Sequence, residues 1–157
     1  ISGNCRTAIR KAERSDVSVR ELDPEEDTTF GLAVKLLQDT QLKVGSHYTT
    51  SPELLNAINN LDEDNISGHT YVAELQGQPI AMSTVIANQR EAFNIFNGWD
   101  RSHAQYCANQ ALHWNNIQKA TERGNIFYNM GESHTPEILA SKLRWGGSPV
   151  IVPRIAV

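Results

Sequence analysis

The chain has 157 residues, of which 39% are hydrophobic, and a formal net charge of −4 at pH 7. These values predict one globular domain, residues 1–157, that is long enough to bury a core. A membrane-spanning helix is excluded because no apolar run reaches about 18 residues, and the polar, basic start does not resemble a secretory signal peptide. Two cysteines, Cys5 and Cys107, are too few for a disulfide framework, so we expect a cytoplasmic protein.

Charge is unevenly distributed along the chain. The first twenty residues carry five Lys and Arg against two acids, whereas residues 21–70 carry ten acids against Lys35 and Lys43. A globally acidic chain is a poor general binder of nucleic acid, but a local basic face can still bind phosphate. The sequence does not begin with Met, which fits a fragment that lacks an N-terminal partner domain.

The first half of the chain alternates between helix and strand signals. Apolar residues at helical spacing predict a helix over 5–14, and alternation predicts a strand over 17–22. Two further helices are expected to begin at Ser/Asp-Pro-Glu caps, one over 23–44 opened by Asp23 and Pro24, the other over 51–61.

The second half begins with three strand-like runs, 69–75, 79–88 and 91–100, whose connections have hairpin length. A long amphipathic helix over 102–124 follows, with five residues expected to face inward: Ala104, Cys107, Ala111, Trp114 and Ile117. The order then continues with a strand over 125–130, a helix from Pro136 that ends at Gly146, and a last strand over 149–157.

This order predicts the fold class. The three neighbouring runs form an antiparallel meander, and the helical crossover that follows makes the next strand parallel to the third. We therefore expect an α/β fold, in which helices pack on both faces of a twisted, mixed and mainly antiparallel sheet.

Four stretches carry a family resemblance: "RTAIRKAERSDVSV", "YVAELQGQPIAMSTVI", "FNGWD" followed by the long helix and "ATERGNIFYNMG", and "SKLRWGGSP". In this order they resemble the GNAT acyltransferase fold, and in particular the second domain of Fem-type proteins. Two departures stand out. Ser141 replaces the family's aromatic residue before the lysine, and "WDRSHAQYCANQ" lacks the Gly-rich turn with which acetyl-CoA-binding members hold pyrophosphate at a helix N-terminus.

The resemblance implies an acyltransferase that forms an amide on an amine acceptor, which would be a small molecule, a peptide or a cell-wall precursor. The donor would be acyl-CoA or, as in Fem-type proteins, an aminoacyl-tRNA, and no resident cofactor is expected. The alternative is a non-catalytic GNAT-like module that binds a ligand or completes a two-domain protein. Either hypothesis is compatible with a homodimer or with contact to a missing N-terminal domain.

Three residues are candidates for catalysis. The resemblance implies that Lys142 neutralises phosphate or carbonyl charge near the acyl-transfer centre; otherwise it is a solvated cation that complements a helix C-terminus. Glu132 and His134 follow a predicted strand, where α/β sites often gather, and either is a candidate general base. The competing interpretation of both is loop solvation or helix capping.

The predicted donor-binding segment is the end of the third meander strand: Asn97, Gly98, Trp99 and Asp100. In GNAT folds the strands splay apart there, so the resemblance implies that backbone groups bind the donor; the alternative for Trp99 is core packing.

Phosphate binding is predicted for three arginines spaced four apart on one face of the first helix: Arg6, Arg10 and Arg14. The alternative is an ordinary exposed face, or one that contacts a missing domain. No metal site is predicted, because His113 lies about 240° around the long helix from Cys107 and does not converge with His103.

Overall fold

The computed structural model of the chain describes residues 1–25, 28–63 and 65–151. In chain order its elements are α1 (Gly3–Arg14), β1 (Val17–Glu21), α2 (Phe30–Lys43), α3 (Pro52–Asn59), β2 (Asp62–Glu63), β3 (Ile66–Leu75), β4 (Gln78–Ala87), β5 (Glu91–Trp99), a 3-10 helix (Arg101–Tyr106), α4 (Ala108–Glu122), β6 (Phe127–Asn129) and α5 (Pro136–Leu143).

The strands form one mixed sheet in the order β1-β3-β4-β5-β6, and β2 pairs with the start of β3. Every pairing is antiparallel except β5 with β6, which is parallel. The predicted meander and crossover are therefore confirmed. The turn between β3 and β4 places Gln76 at φ 53° and Gly77 at φ 79°, the two positive values that a two-residue hairpin favours.

Helices cover both faces of this sheet, as predicted. Val72 and Met82 pack against α2 and α3, whereas their neighbours Tyr71 and Ala81 point the other way, towards Leu112 of α4. Because successive strand residues alternate between faces, the central residues of β3 and most residues of β4 are buried, whichever face of the sheet they point to. Helix α1 packs against α4 and β1.

The predicted helix over 23–44 begins later than expected. Helix α2 starts at Phe30, and the side chain of Asp23 accepts a hydrogen bond from the Glu25 N–H in a turn. Asp followed by Pro therefore initiates a local turn here instead of capping the helix. The predicted stretch includes residues 26 and 27, which lie outside the described residues.

The predicted long helix over 102–124 is in fact two helices. Asp100 caps a 3-10 helix, Cys107 follows it in the left-handed region at φ 57°, and α4 starts only at Ala108. This restart shifts the buried stripe, whose members are Ala108, Leu112, Asn116 and Ala120. The expected inward stripe was therefore wrong, and Cys107 is a partly exposed junction residue instead of a core residue.

The last predicted strand, over 149–157, falls mostly on residues 152–157, which lie outside the described residues. Residues 149–151 are not in a strand. Across the described ranges, no helix combines the length and apolar character needed to cross a bilayer.

Candidate active site

The candidate site lies where β5 and β6 diverge. The two strands pair only over Glu91–Phe93 and Phe127–Asn129, whereas β5 continues to Trp99. Between the unpaired part of β5, the chain after β6 and helices α4 and α5 lies a cavity of about 540 Å³. Its lining includes Asn94, Asn97, Trp99, Asn109, His113, Met130, Gly131, Glu132, His134, Lys142 and Trp145. The gap thus brings together residues that are far apart in the sequence.

Lys142 enters this cavity from α5. Thr135 caps that helix by accepting a hydrogen bond from the Ile138 N–H, and Pro136 occupies its first turn. The Lys142 ammonium donates to the main-chain oxygens of Gly131, at 2.8 Å, and Glu132, at 2.6 Å. Burial lowers the pKa of Lys142, and the nearby Glu132 carboxylate partly counters this effect.

Glu132 and His134 line the same cavity from the loop between β6 and α5. The Glu132 carboxylate lies 3.5 Å from Nε2 of His134, and both side chains are exposed. The structure therefore brings the three predicted catalytic residues to one cavity. The catalytic role of each of these residues remains a prediction.

A buried polar network lies beneath the cavity. Its centre is the Tyr128 hydroxyl on β6, which accepts hydrogen bonds from the side-chain amides of Asn94, at 3.1 Å, and Asn116, at 3.2 Å. Asn116 also donates to the Ser83 hydroxyl at 2.9 Å, and Asn94 forms a reciprocal amide pair with Asn97. These polar groups satisfy each other in the interior.

The same hydroxyl reaches His113 on α4. Nδ1 of His113 lies 3.3 Å from the Tyr128 oxygen, and the Trp145 ring packs edge-on against the imidazole at 5.8 Å between centroids. Burial, together with the Lys142 charge, lowers the pKa of His113 to about 4. The imidazole is therefore neutral at physiological pH.

Sequence reasoning considered His113 only as a metal ligand and did not single out Tyr128, Asn94 or Asn116. One signal was available: Asn116 stands in the apolar stripe of α4, four residues after Leu112 and four before Ala120. A polar residue in a buried stripe needs a hydrogen-bond partner, and that need indicates an internal network.

The residues of the predicted donor-binding segment face different parts of the structure. Asn97 and Trp99 line the cavity, but Gly98 faces α2, where an added Cβ would lie 2.6 Å from the Leu37 backbone. The Asp100 carboxylate accepts hydrogen bonds from the backbone N–H and hydroxyl of Ser102, and these bonds lower its pKa.

Two backbone N–H groups of this segment already have partners. Trp99 N–H donates to the Thr40 hydroxyl at 3.0 Å, and Asp100 N–H donates to the Ile80 carbonyl at 2.9 Å. Any backbone contact to a donor must therefore use the remaining groups, and the predicted role of the segment is untested.

The predicted phosphate-binding arginines lie elsewhere. Arg6, Arg10 and Arg14 are exposed on α1, and none of them lines the cavity. Arg6 donates to the carbonyl of Ile1 at 2.8 Å. The arginines form a surface separate from the candidate site, and phosphate binding there stays a prediction.

No group of three or more His, Cys, Asp or Glu side chains within the described ranges is placed to hold a metal ion. His103 pairs with Asp100 at 2.9 Å, whereas His113 contacts Tyr128. The two histidines thus serve different local networks.

Comparisons with known proteins agree with this architecture. A family model described as "Acetyltransferase (GNAT) domain" matches residues 2–137. No curated protein matches the sequence.

Three solved structures illustrate the likeness in fold. FemX superposes with a TM-score of 0.75 at 12% identity over 91% of this chain. An aminoglycoside acetyltransferase from an uncultured soil metagenomic sample, in complex with sisomicin, gives 0.66 at 14% identity and covers 90% of this chain and 95% of its own. The C-terminal domain of a putative lysylphosphatidylglycerol synthetase from Agrobacterium fabrum gives 0.63 at 14% identity, with 92% of this chain and 45% of that chain covered. This chain spans only 53% of FemX.

Proposed function

Because this chain belongs to the GNAT acetyltransferase family, whose members use acyl-CoA and amine acceptors, we propose that it is an N-acyltransferase that forms an amide on an amine acceptor. The observation that carries the proposal is the cavity at the divergence of β5 and β6, which holds the Lys142 ammonium and the Glu132 carboxylate. The resemblance to FemX in fold favours a place in the Fem-like branch.

In the proposed reaction, the amine nitrogen attacks the acyl carbonyl carbon and forms the new C–N bond. The electron pair of the carbonyl moves onto its oxygen and returns when the bond to the leaving group breaks. The amine loses a proton to Glu132 or His134, which acts as general base. The CoA sulfur or tRNA oxygen departs with the electron pair of the broken bond and takes up this proton from the base. Holding the two substrates together in one cavity supplies much of the rate, so no covalent nucleophile is needed.

Lys142 is suited to stabilise the negative charge that develops on the carbonyl oxygen. An ammonium has three N–H groups, and the bonds to Gly131 and Glu132 occupy two of them. The remaining N–H is available for an oxygen in the cavity. A fixed donor aimed at developing charge is among the strongest sources of catalysis.

The donor is proposed to be acyl-CoA or an aminoacyl-tRNA, and one observation favours the second. The 3-10 helix occupies the place of a Gly-rich pyrophosphate turn, and the N–H groups of Ser102, His103 and Cys107 already have hydrogen-bond acceptors. Such a segment has fewer backbone N–H groups to offer a pyrophosphate.

The same observation also supports a second candidate function, a GNAT-like module that binds a ligand without turning it over. The chain covers 53% of FemX, so a partner domain in the whole protein would complete either function.

The test combines binding with turnover. Purified protein is titrated with acetyl-CoA, CoA and a non-hydrolysable analogue of the aminoacylated tRNA end, and donors are incubated with primary amines, including sisomicin. We expect a mass increase of one acyl group on an amine, and its loss in Lys142→Met but not in Arg144→Met. Binding without any transfer would favour the second candidate, and neither binding nor transfer would contradict both.

A further inference from the structure

The network around Tyr128 determines where the protons lie. A hydroxyl group has two lone pairs and one hydrogen. The side-chain amides of Asn94 and Asn116 both donate to the Tyr128 oxygen, so both lone pairs are occupied. The hydroxyl hydrogen is then left for the third neighbour, Nδ1 of His113, at 3.3 Å.

Both amides also have further hydrogen-bond partners. Asn94 and Asn97 exchange two hydrogen bonds, Nδ2 of each donating to Oδ1 of the other at 3.2 and 3.0 Å. Asn116 places its Nδ2 2.9 Å from the Ser83 hydroxyl. With the Nδ2 groups of Asn94 and Asn116 donating to the Tyr128 oxygen, the hydroxyl is left as donor to the histidine.

This arrangement fixes the tautomer of His113. If Nδ1 accepts a hydrogen bond and the ring is neutral, Nε2 must carry the proton. Nε2 is the other ring nitrogen, which the hydrogen bond between Nδ1 and the Tyr128 hydroxyl leaves free to donate elsewhere. Because the side chain lines the cavity, Nε2–H is the polar group that His113 offers there.

The surroundings keep this ring neutral. Lys142 from α5 lowers the pKa of His113 in addition to burial, and Tyr128 from β6 contacts it through an uncharged hydroxyl. Glu132 and His134, from the loop before α5, are the other titratable groups that line the cavity. A neutral ring with a proton on Nε2 is a hydrogen-bond donor to the cavity and cannot serve as the base there.

We propose that His113 is a catalytic residue that donates its Nε2–H to the carbonyl oxygen of the acyl group, and that Tyr128 is a positioning residue that holds His113 in this tautomer. The inference rests on the proposed acyl transfer. As the amine nitrogen bonds to the carbonyl carbon, negative charge on the oxygen is stabilised by Nε2–H together with Lys142. When the bond to the leaving group breaks, the charge returns to the carbonyl, and His113 keeps its proton throughout.

The first test observes the tautomer directly and needs no substrate. The nitrogen NMR signals of histidine side chains are recorded against pH in labelled wild-type protein, with His113→Gln used to assign His113. We expect a neutral ring with the proton on Nε2 from pH 5.5 to 8. In Tyr128→Phe we expect a mixture of tautomers. A wild-type ring with the proton on Nδ1, or one that titrates near the ordinary value of about 6.5, would overturn the proposal.

The second test is kinetic and uses the donor and amine that show turnover. His113→Ala should lower kcat about 100-fold with little change in KM, as expected for an interaction made mainly in the transition state. His113→Gln, whose amide N–H can replace Nε2–H, should retain kcat within about tenfold of wild type. Equal activity of His113→Ala and wild type would overturn the role of His113 while leaving acyl transfer intact.

An acetate titration separates the two proposals. Acetate has a negatively charged oxygen, as the proposed intermediate does. It should therefore shift the Nε2–H signal of His113 in wild type, and the shift should be smaller in Lys142→Met. If no donor is turned over but acetate still shifts the signal, the acyl-transfer role is overturned and His113 remains a donor to an oxygen ligand. If acetate leaves the signal unchanged, His113 does not bind oxygen in this cavity and the inference fails.

Discussion

The ammonium of Lys142 lies 2.6 Å from the main-chain oxygen of Glu132 and 2.8 Å from that of Gly131. Helix α5 is thereby tied to the loop that follows β6. One side chain thus does two things: it holds the cavity wall in place, and it keeps a positive charge inside the cavity. These two effects can be separated by substitution.

Replacing Lys142 with Met should lower kcat about 100-fold, because a fixed donor to the developing charge is lost. The free energy of unfolding should fall by about 1 kcal/mol, because two carbonyl oxygens lose their donor at a partly exposed position. Turnover is followed by acyl transfer to an amine, and stability by chemical denaturation.

Arg144→Met is the matched control for this substitution. Arg144 follows the same helix and carries the same charge, but it is exposed and lies outside the cavity lining. It should change neither kcat nor the free energy of unfolding by much. Equal losses in both variants would show that the positive charge of the helix end, and not the Lys142 contact, is responsible.

The second prediction concerns the general base. Glu132→Gln keeps the size and polarity of the side chain but removes its ability to take a proton, so kcat should fall about 100-fold with KM little changed. His134→Ala tests the competing assignment, since its ring lies 3.5 Å from the Glu132 carboxylate.

Glu137→Gln serves as the control, because Glu137 lies in the first turn of α5 and outside the cavity lining. Loss of turnover only in His134→Ala would assign the base to the histidine, and unchanged turnover in both would exclude both residues.

Sequence patterns predicted five of the six strands in the described ranges, but they missed β2, and residues 149–151 of the last predicted strand are not in a strand. The strands β3, β4 and β5 follow one another with hairpin-length connections, and Gln76-Gly77 provides the turn that a tight hairpin needs. The sequence patterns placed a helix start too early where a short polar segment forms a turn or a 3-10 helix ahead of the α-helix. Asp23 forms a local turn ahead of α2, and Asp100 caps a 3-10 helix that ends at Cys107.

The break at Cys107 also explains what was missed in the site. A continuous helix would have turned Ala111 and Trp114 inward, whereas the restarted α4 buries Leu112 and Asn116 and sets His113 at the cavity. Lys142, Glu132 and His134 were predicted as candidates because a motif and a strand end indicated them, and they line the cavity. Tyr128 could not be found in the same way, since its importance depends on Asn94 and Asn116 from two other elements.

The third prediction is a pH dependence of stability. In the folded protein the pKa of His113 is about 4, below its ordinary value of 6.5. Between these values the unfolded chain binds a proton that the folded protein does not, so the free energy of unfolding should fall as the pH drops from about 6.5 to about 4. We expect this contribution to reach about 3 kcal/mol and to be fully present above pH 6.5.

His113→Gln should remove this part of the slope, whereas His47→Gln, at an exposed position, should keep the wild-type slope. Denaturation curves at several pH values between 4 and 7.5 provide the measurement. Parallel slopes for wild type and His113→Gln would mean that the histidine titrates alike in the folded and unfolded chain.

The fourth prediction separates a packing role of Gly98 from a donor-binding role. A Cβ at this position would lie 2.6 Å from both N and Cα of Leu37, so backbone would have to move. Gly98→Ala should therefore destabilise the fold by about 3 kcal/mol, as overpacking of a close contact does. Gly31→Ala, in the helix α2 that Gly98 contacts, is the control, because nothing lies within 4 Å of its added Cβ. A residue with better helix propensity there should raise the stability of α2 by about 0.5 kcal/mol. Thermal unfolding without any donor distinguishes the roles, since a glycine needed only for donor contact would leave the melting temperature of the free protein unchanged in Gly98→Ala.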